Sequence, residues 1–392
     1  MEHSLPSKRV IFLLATAAFS STSAFRVLDP ALPQLSTDFD ITTGEAAKAI
    51  TWFVFAYGLM QFFYGPVGDR FGKFRTIAFA TLACAVGNLI ASAATTFDWV
   101  LAGRAISGAT AAAIVPLSMA WIGDHVPYEH RQVTLAQFMT GTILGMSAGL
   151  VIGGVLNDTL GWRWSFLFLA LVYTIVGIWL LRQLKEVPEV EPSAGRLKLF
   201  EPIAAVFAVG WARVVLLVVL IEGALVFGGL SFVPAFLQQT QGMSSTAAGL
   251  ITAFFGVGAM LYVLRARWLV ARFGETKLAF AGGWVLGACY LLYIIGPHWS
   301  WAILASIFCG LGYYLLHAVL QTNATQMAPK VRGTAVSLFA SFLFTGQALG
   351  VASGAWVVDA VGISWVLIGA CAALPILGMA FGHAISSVRP SA

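Results

Sequence analysis

Residues 145–153 read GMSAGLVIG and residues 346–354 read GQALGVASG, two glycine ladders set 201 residues apart. The same offset carries Arg131 onto Arg332, Asp158, Gly161 and Trp164 onto Asp359, Gly362 and Trp365, and Pro33 onto Pro234. A second echo, at 202 residues, aligns Arg70-Phe71-Gly72 with Arg272-Phe273-Gly274. One spacing kept over so many positions marks a duplicated chain. Two similar halves in a membrane are the usual way to build a pathway between them.

The surrounding composition sets the solvent. Of 392 residues, 59% are hydrophobic and 10% charged, and the mean hydropathy is +0.85, whereas soluble domains carry roughly 25% charged residues. Apolar runs of about 20 residues predict twelve membrane helices, at 10–35, 47–67, 75–95, 98–123, 132–156, 163–182, 211–236, 246–266, 277–296, 299–322, 333–356 and 364–385. A β-barrel is excluded, because its strands would alternate with period two. The longest internal polar stretch, Arg182 to Glu201, divides the chain into six-helix bundles over 1–183 and 203–392, joined by a linker over 184–202. No other loop leaves room for a soluble catalytic domain, and no GxxxxGK[ST] loop is present. Energy must then come from a gradient, or movement is passive.

Orientation follows from the basic residues. With the N-terminus inside, only Lys48 and Arg163 fall outside and only Arg26, Arg104 and Arg213 within spans; the rest of the 22 are cytoplasmic. Both termini are therefore expected inside. The net charge of +5 reports this topology, and no nucleic-acid partner is expected. The first span follows Lys8 and Arg9 as a signal sequence would, but it contains Arg26 and Asp29 and is read as retained. Cys84, Cys289, Cys309 and Cys371 all lie in spans without metal-ligand spacing, so neither metal nor cofactor is expected.

The segment Gly65-Pro-Val-Gly-Asp69-Arg70-Phe-Gly72-Lys-Phe-Arg75 closely resembles the signature loop of the major facilitator superfamily. The resemblance implies a cytoplasmic gate, with Gly65, Asp69, Arg70, Gly72 and Arg75 as conformational residues. Ala271 replaces Asp69 in the second copy. Leu28-Asp29-Pro-Ala-Leu-Pro33 and Leu101-Ala-Gly-Arg104-Ala-Ile-Ser-Gly108 resemble the first- and fourth-helix motifs of the twelve-helix drug:proton antiporters. Gly145 to Gly154 resembles their fifth-helix motif, except that Leu150 stands where a proline usually follows the glycine. Gly145, Gly149 and Gly153 are candidate gating positions on that resemblance; spaced glycines are also ordinary close-packing devices.

Charges inside spans are costly unless paired or hydrated, and so point to mechanism. At a rise of about 1.5 Å per residue, Asp29 lies about 28 Å from the inner start of its helix and Arg104 about 9 Å from the outer start of its own. With Arg26 three residues from Asp29, the three form a candidate cluster in the outer half of the pathway; the alternative is a structural salt bridge. Glu222 lies about 16 Å into the seventh span with no basic residue within one turn. It is a candidate proton carrier or cation site, against an inert hydrogen-bonded acid. The tenth span carries Tyr313, Tyr314, His317 and Gln321, read as a cavity-lining stripe or as interhelical hydrogen bonding. Tyr57, Gln61 and Gln137 are further lining candidates, and Phe25, Phe232, Phe255 and Trp52 are candidate apolar walls.

The expectation is an all-α, major-facilitator-like membrane protein of twelve helices in two pseudo-symmetric bundles, not an enzyme. The resemblance implies proton-coupled export of a small amphipathic compound, with Asp29 and Glu222 as proton sites. Arg26, Tyr57, Gln61, Arg104, Gln137, Glu222, Tyr313, His317 and Gln321 are the substrate-binding candidates. Its partners would be substrate, protons and membrane lipid, and the form a monomer in a bacterial-type inner membrane. Uptake or symport of an organic anion is the alternative, and a membrane sensor or enzyme a remote one.

Overall fold

The computed structural model describes residues 8–185 and 200–388, and among these every regular element is helical. The first seven spans are Arg9–Phe39, Thr43–Phe71, Lys73–Ser92, Phe97–His125, His130–Thr159, Trp162–Gln183 and Gly210–Gln241. Ser245–Ile295 follows as one apolar stretch of 51 residues, about 77 Å of helix and so roughly two and a half times a bilayer core. It breaks at Gly274, whose φ of 70° and ψ of 167° leave the helical region, which makes the eighth span 245–273 and the ninth 275–295. Ser300–Gln326, Pro329–Val361 and Ser364–Ser387 complete twelve crossings.

Helices outrun the apolar runs that predict them. The second span begins at Thr43 rather than 47, because Thr42 and Glu45 form a reciprocal capping box that lets polar residues open the helix. The first continues to Phe39 rather than 35, and a short helix over Phe200–Phe207 precedes the seventh, beginning within the linker expected over 184–202. Residues 186–199 of the linker expected over 184–202 lie outside the described residues. Gly72 ends the second span with φ 89° as Gly274 ends the eighth with φ 70°. A side chain would be strained at either place, which accounts for both copies of the loop keeping this glycine.

Within each half, glycines let backbones touch. A Cβ added at Gly145, Gly149 or Gly153 of the fifth span would overlap the backbone of Phe19, Ser23 or Val27 of the first. Added at Gly346 or Gly350 of the eleventh, it would overlap Leu220 or Ala224 of the seventh. Ser23 uses the approach to donate a hydrogen bond to the Gly145 carbonyl at 2.9 Å. The 201-residue repeat is thus a repeat of contacts, 19 and 23 becoming 220 and 224. Close packing of small residues is the main source of helix association where burial from water supplies none.

An even number of crossings puts Lys8 and Val388 on one face, here called terminal; Phe39 to Thr43 and Val361 to Ser364 lie on the other, distal, face. The halves meet along two seams, the fifth span against the eighth and the second against the eleventh. In the first seam Leu150 faces Gly249 and Ser147 faces Gly256; in the second Gly58 faces Ser341 and Phe344. Polar contacts join the halves at the distal face. Asn157 donates to Ser245 at 2.8 Å, and Thr42 to Asp359 at 2.7 Å.

Candidate functional site

The first span does not run straight. Its helix Lys8–Arg26 ends at Val27, a tight turn covers Asp29–Ala31 with Pro30 near its start, and helix resumes over Leu32–Phe39. Proline has no N–H to give, so such a break frees carbonyls at membrane depth that need other donors. Gln238 of the seventh span supplies one, donating to the Pro30 carbonyl at 2.9 Å.

Arg26 and Asp29 flank the break, both almost wholly buried, and bond to each other at 2.7 Å. The same Arg26 nitrogen donates to Ser231 Oγ of the seventh span at 3.1 Å, and the guanidinium lies 5.5 Å from the Phe227 ring centre. This cluster therefore bridges the halves. Arg104 comes near enough for its charge to act on Asp29, but it bonds elsewhere. Its Nε donates to the Ala49 carbonyl at 3.1 Å, and its guanidinium lies 4.0 Å from the Phe53 ring centre. Both Nη atoms of Arg104, and Nε and Nη2 of Arg26, have no hydrogen-bond partner among the described residues. Arg104→Lys keeps the charge but loses the flat face and the fixed Nε. The expected cost is about 1–2 kcal/mol, read as a fall of a few degrees in the thermal unfolding midpoint.

The seventh span bends in a different way. Helix Gly210–Glu222 passes into a π-helical turn over Gly223–Phe227 before helix resumes at Gly228. Such turns insert a residue into the helical register and are frequent at functional sites. Glu222 sits immediately before it, fully buried. The sequence offers it no basic neighbour along its own helix, but the tenth span does: His317 Nδ1 lies 2.8 Å from Glu222 Oε2. The imidazole stacks on Tyr313 at 4.6 Å and lies 5.4 Å from the Phe339 ring. Glu222 Oε1 has no partner among the described residues.

The remaining candidates scatter. Tyr57 is buried in an aromatic cluster that crosses the halves, 4.6 Å from Phe25 and 4.7 Å from Phe344 between ring centres. Gln61, one turn on, is half-buried, while Gln137 and Gln321 are exposed. In the signature loop Asp69 pairs with Lys73 at 3.1 Å and Lys73 with Asp124 at 2.7 Å, all within the first half. Arg70 and Arg75 lie over Phe71 and Phe79. Residues absent from the sequence reading but central here are Ser231, Phe227 and Phe53. A serine and two phenylalanines in apolar helices carry no signal of their own.

The family model described as the Major Facilitator Superfamily matches residues 14–275 and 230–390. The chain belongs to the Major Facilitator Superfamily. Among its relatives is the uncharacterised MFS-type transporter YwfA of Bacillus subtilis, 26% identical over 374 residues, covering 93% of this chain and 89% of that one. The multidrug export protein EmrB of Haemophilus influenzae is 26% identical over 159 residues, 39% of this chain and 31% of EmrB. In fold the chain matches a bacterial homologue of the human lysosomal transporter Spinster, solved inward-facing and occupied. The TM-score is 0.77 at 16% identity, covering 98% of each chain. This major facilitator chain is a multi-pass transporter and not an enzyme.

Proposed function

We propose that the chain exports a small amphipathic compound in exchange for protons, its bundles 1–183 and 203–392 rocking about a mid-membrane site. The carrying observation is the buried Glu222–His317 pair at 2.8 Å. A carboxyl and an imidazole so placed hold one proton between them, whether it rests on the acid or makes the ring cationic. Losing it leaves a carboxylate in an apolar setting without a counter-charge, at a cost of several kcal/mol. The proton therefore leaves when a cationic substrate replaces it or when water reaches the pair. Asp29, paired with Arg26 at 2.7 Å, is the second proton site.

In this reading Arg26, Tyr57, Gln61, Arg104, Gln137, Tyr313, His317 and Gln321 contribute substrate contacts. Gly65, Asp69, Arg70, Gly72 and Arg75 gate the cytoplasmic face, while Gly145, Gly149 and Gly153 form the packed hinge. The terminal face is cytoplasmic, the linker over 184–202 lies on it, and one chain completes the pathway in a bacterial-type inner membrane. The multidrug export in the name of EmrB supports the direction. To test this, cationic, anionic and neutral compounds are ranked by thermal shift at two pH values, and the strongest stabiliser is followed into proteoliposomes. An imposed pH gradient is expected to accelerate its movement; equal rates with and without the gradient would sink the proposal.

A second reading has its own support. Arg26 and Arg104 both carry unpartnered guanidinium N–H groups, which suit a carboxylate or phosphate, and an organic anion taken up with protons would use them. In that case anions, not cations, give the larger thermal shifts, and binding takes protons up instead of releasing them.

A further inference from the structure

The glycine ladder is not all that the repeat preserves. Asp158, in the last turn of the fifth span, accepts from the backbone N–H groups of Ser245 at 3.1 Å and Thr246 at 2.7 Å, in the first turn of the eighth. Asp359, in the last turn of the eleventh, accepts from the N–H of Gly44 at 3.0 Å and from Thr42 Oγ1 at 2.7 Å, at the start of the second. Asp158 and Asp359 are 201 residues apart, and so are Gly44 and Ser245. Each half thus lends a carboxylate to the other half's helix.

We infer that Asp158 and Asp359 are a matched pair of latches that hold the distal face closed and so position the access equilibrium of the transport cycle. Helix starts leave N–H groups without partners and carry partial positive charge. The second and eighth spans satisfy part of that need themselves, since Thr42 accepts from the Glu45 N–H at 3.0 Å and Ser244 from the Ala247 N–H at 3.2 Å. The N–H groups of Gly44, Ser245 and Thr246 are left to the opposite half. Because donor and acceptor belong to different halves, these bonds exist only while the distal face is closed. Both aspartates are exposed, so water replaces the bonds at modest cost when the face opens. Two weak, reversible contacts at symmetric positions bias an equilibrium without locking it.

The inference rests on the proposed rocking of the halves and is independent of proton coupling or direction. It is tested with a reporter cysteine, Leu150→Cys, in full-length protein in detergent. Leu150 is buried at 2% exposure against Gly249 across the seam. Half-buried Cys371 is replaced by serine, and the other native thiols are buried. Asp158→Ala and Asp359→Ala are each expected to raise maleimide labelling of the reporter about fivefold, the loss of one helix cap. Separated sites add in free energy, so the two together give about twenty-five-fold, while the buried thiols Cys84, Cys289 and Cys309 stay unlabelled. Unchanged labelling in the double variant overturns the latch, as does equally faster labelling of those three buried thiols, which marks a loosened fold. If pH and compound shift labelling while the latch variants do not, the latch alone fails. If nothing shifts it, rocking fails too.

Discussion

Glu222→Gln is expected to cut pH-gradient-driven transport at least about a hundredfold, the scale on which a positioned proton-transfer group acts, while exchange of labelled for unlabelled compound continues. Glutamine has the size and the acceptor oxygen of the acid, so it still faces His317 at the place where the native pair stands 2.8 Å apart. It cannot take or give the proton. In the proposed cycle a proton on this pair permits return of the empty carrier, and loss of that proton admits the substrate. An amide keeps position 222 neutral at every pH. Gradient-driven flux should then become flat in pH, whereas counterflow needs no net proton movement and survives. Both are measured in the same proteoliposomes. Loss of both fluxes together would mark Glu222 as a substrate ligand or a structural acid, and retention of both would remove it from the coupling.

Twelve crossings are legible in the sequence because uninterrupted apolar runs of this length have few other physical outcomes. What a run does not reveal is where its helix stops, since caps such as Thr42 with Glu45 extend helices through polar residues. Nor does it reveal every local backbone departure: the break at Val27 carries a mark in Pro30, but the π-helical turn after Glu222 carries none. Pairings across spans are legible only in part. The three-residue spacing of Arg26 and Asp29 foretells their bond on local geometry alone. Arg104 goes to the Ala49 carbonyl, and a backbone acceptor leaves no trace in residue identity. The Glu222–His317 pair was within reach of the depth arithmetic that brings Asp29 level with Arg104. Glu222 lies about 18 Å from the terminal-face end of its span and His317 about 14 Å from that end of its own. Rotation about the helix axis was the missing quantity, and helices apolar on most faces encode it weakly.

Symmetry sorts these features by role. The contacts that survive duplication are backbone ones, between glycines and carbonyls or between carboxylates and helix starts. The charged side chains of the site have no counterpart: Asp29 falls opposite Leu230, Arg104 opposite Ala305 and Glu222 opposite Ser21. A scaffold that moves as two halves needs the same joints twice. A proton site serving one pathway is needed once.

The joints themselves give the largest expected effect on stability. At Gly346 an added Cβ would overlap the Leu220 carbonyl. That obstacle is backbone, so no rotamer change relieves it, and the seventh and eleventh spans must move apart along their length. Gly346→Val is expected to cost about 3 kcal/mol or more, the upper end for overpacking, and the separation would carry the π-helical turn and Glu222 with it. In the same half, Gly369 of the twelfth span has nothing within 4 Å of where its Cβ would be. There Gly369→Ala should be neutral or stabilise by up to about 1 kcal/mol, because alanine loses less backbone freedom in a helix than glycine. Size-exclusion profiles and unfolding midpoints in detergent, taken side by side, check the contrast. Equal behaviour of the two variants would mean that the ladder is not what holds the seventh and eleventh spans together.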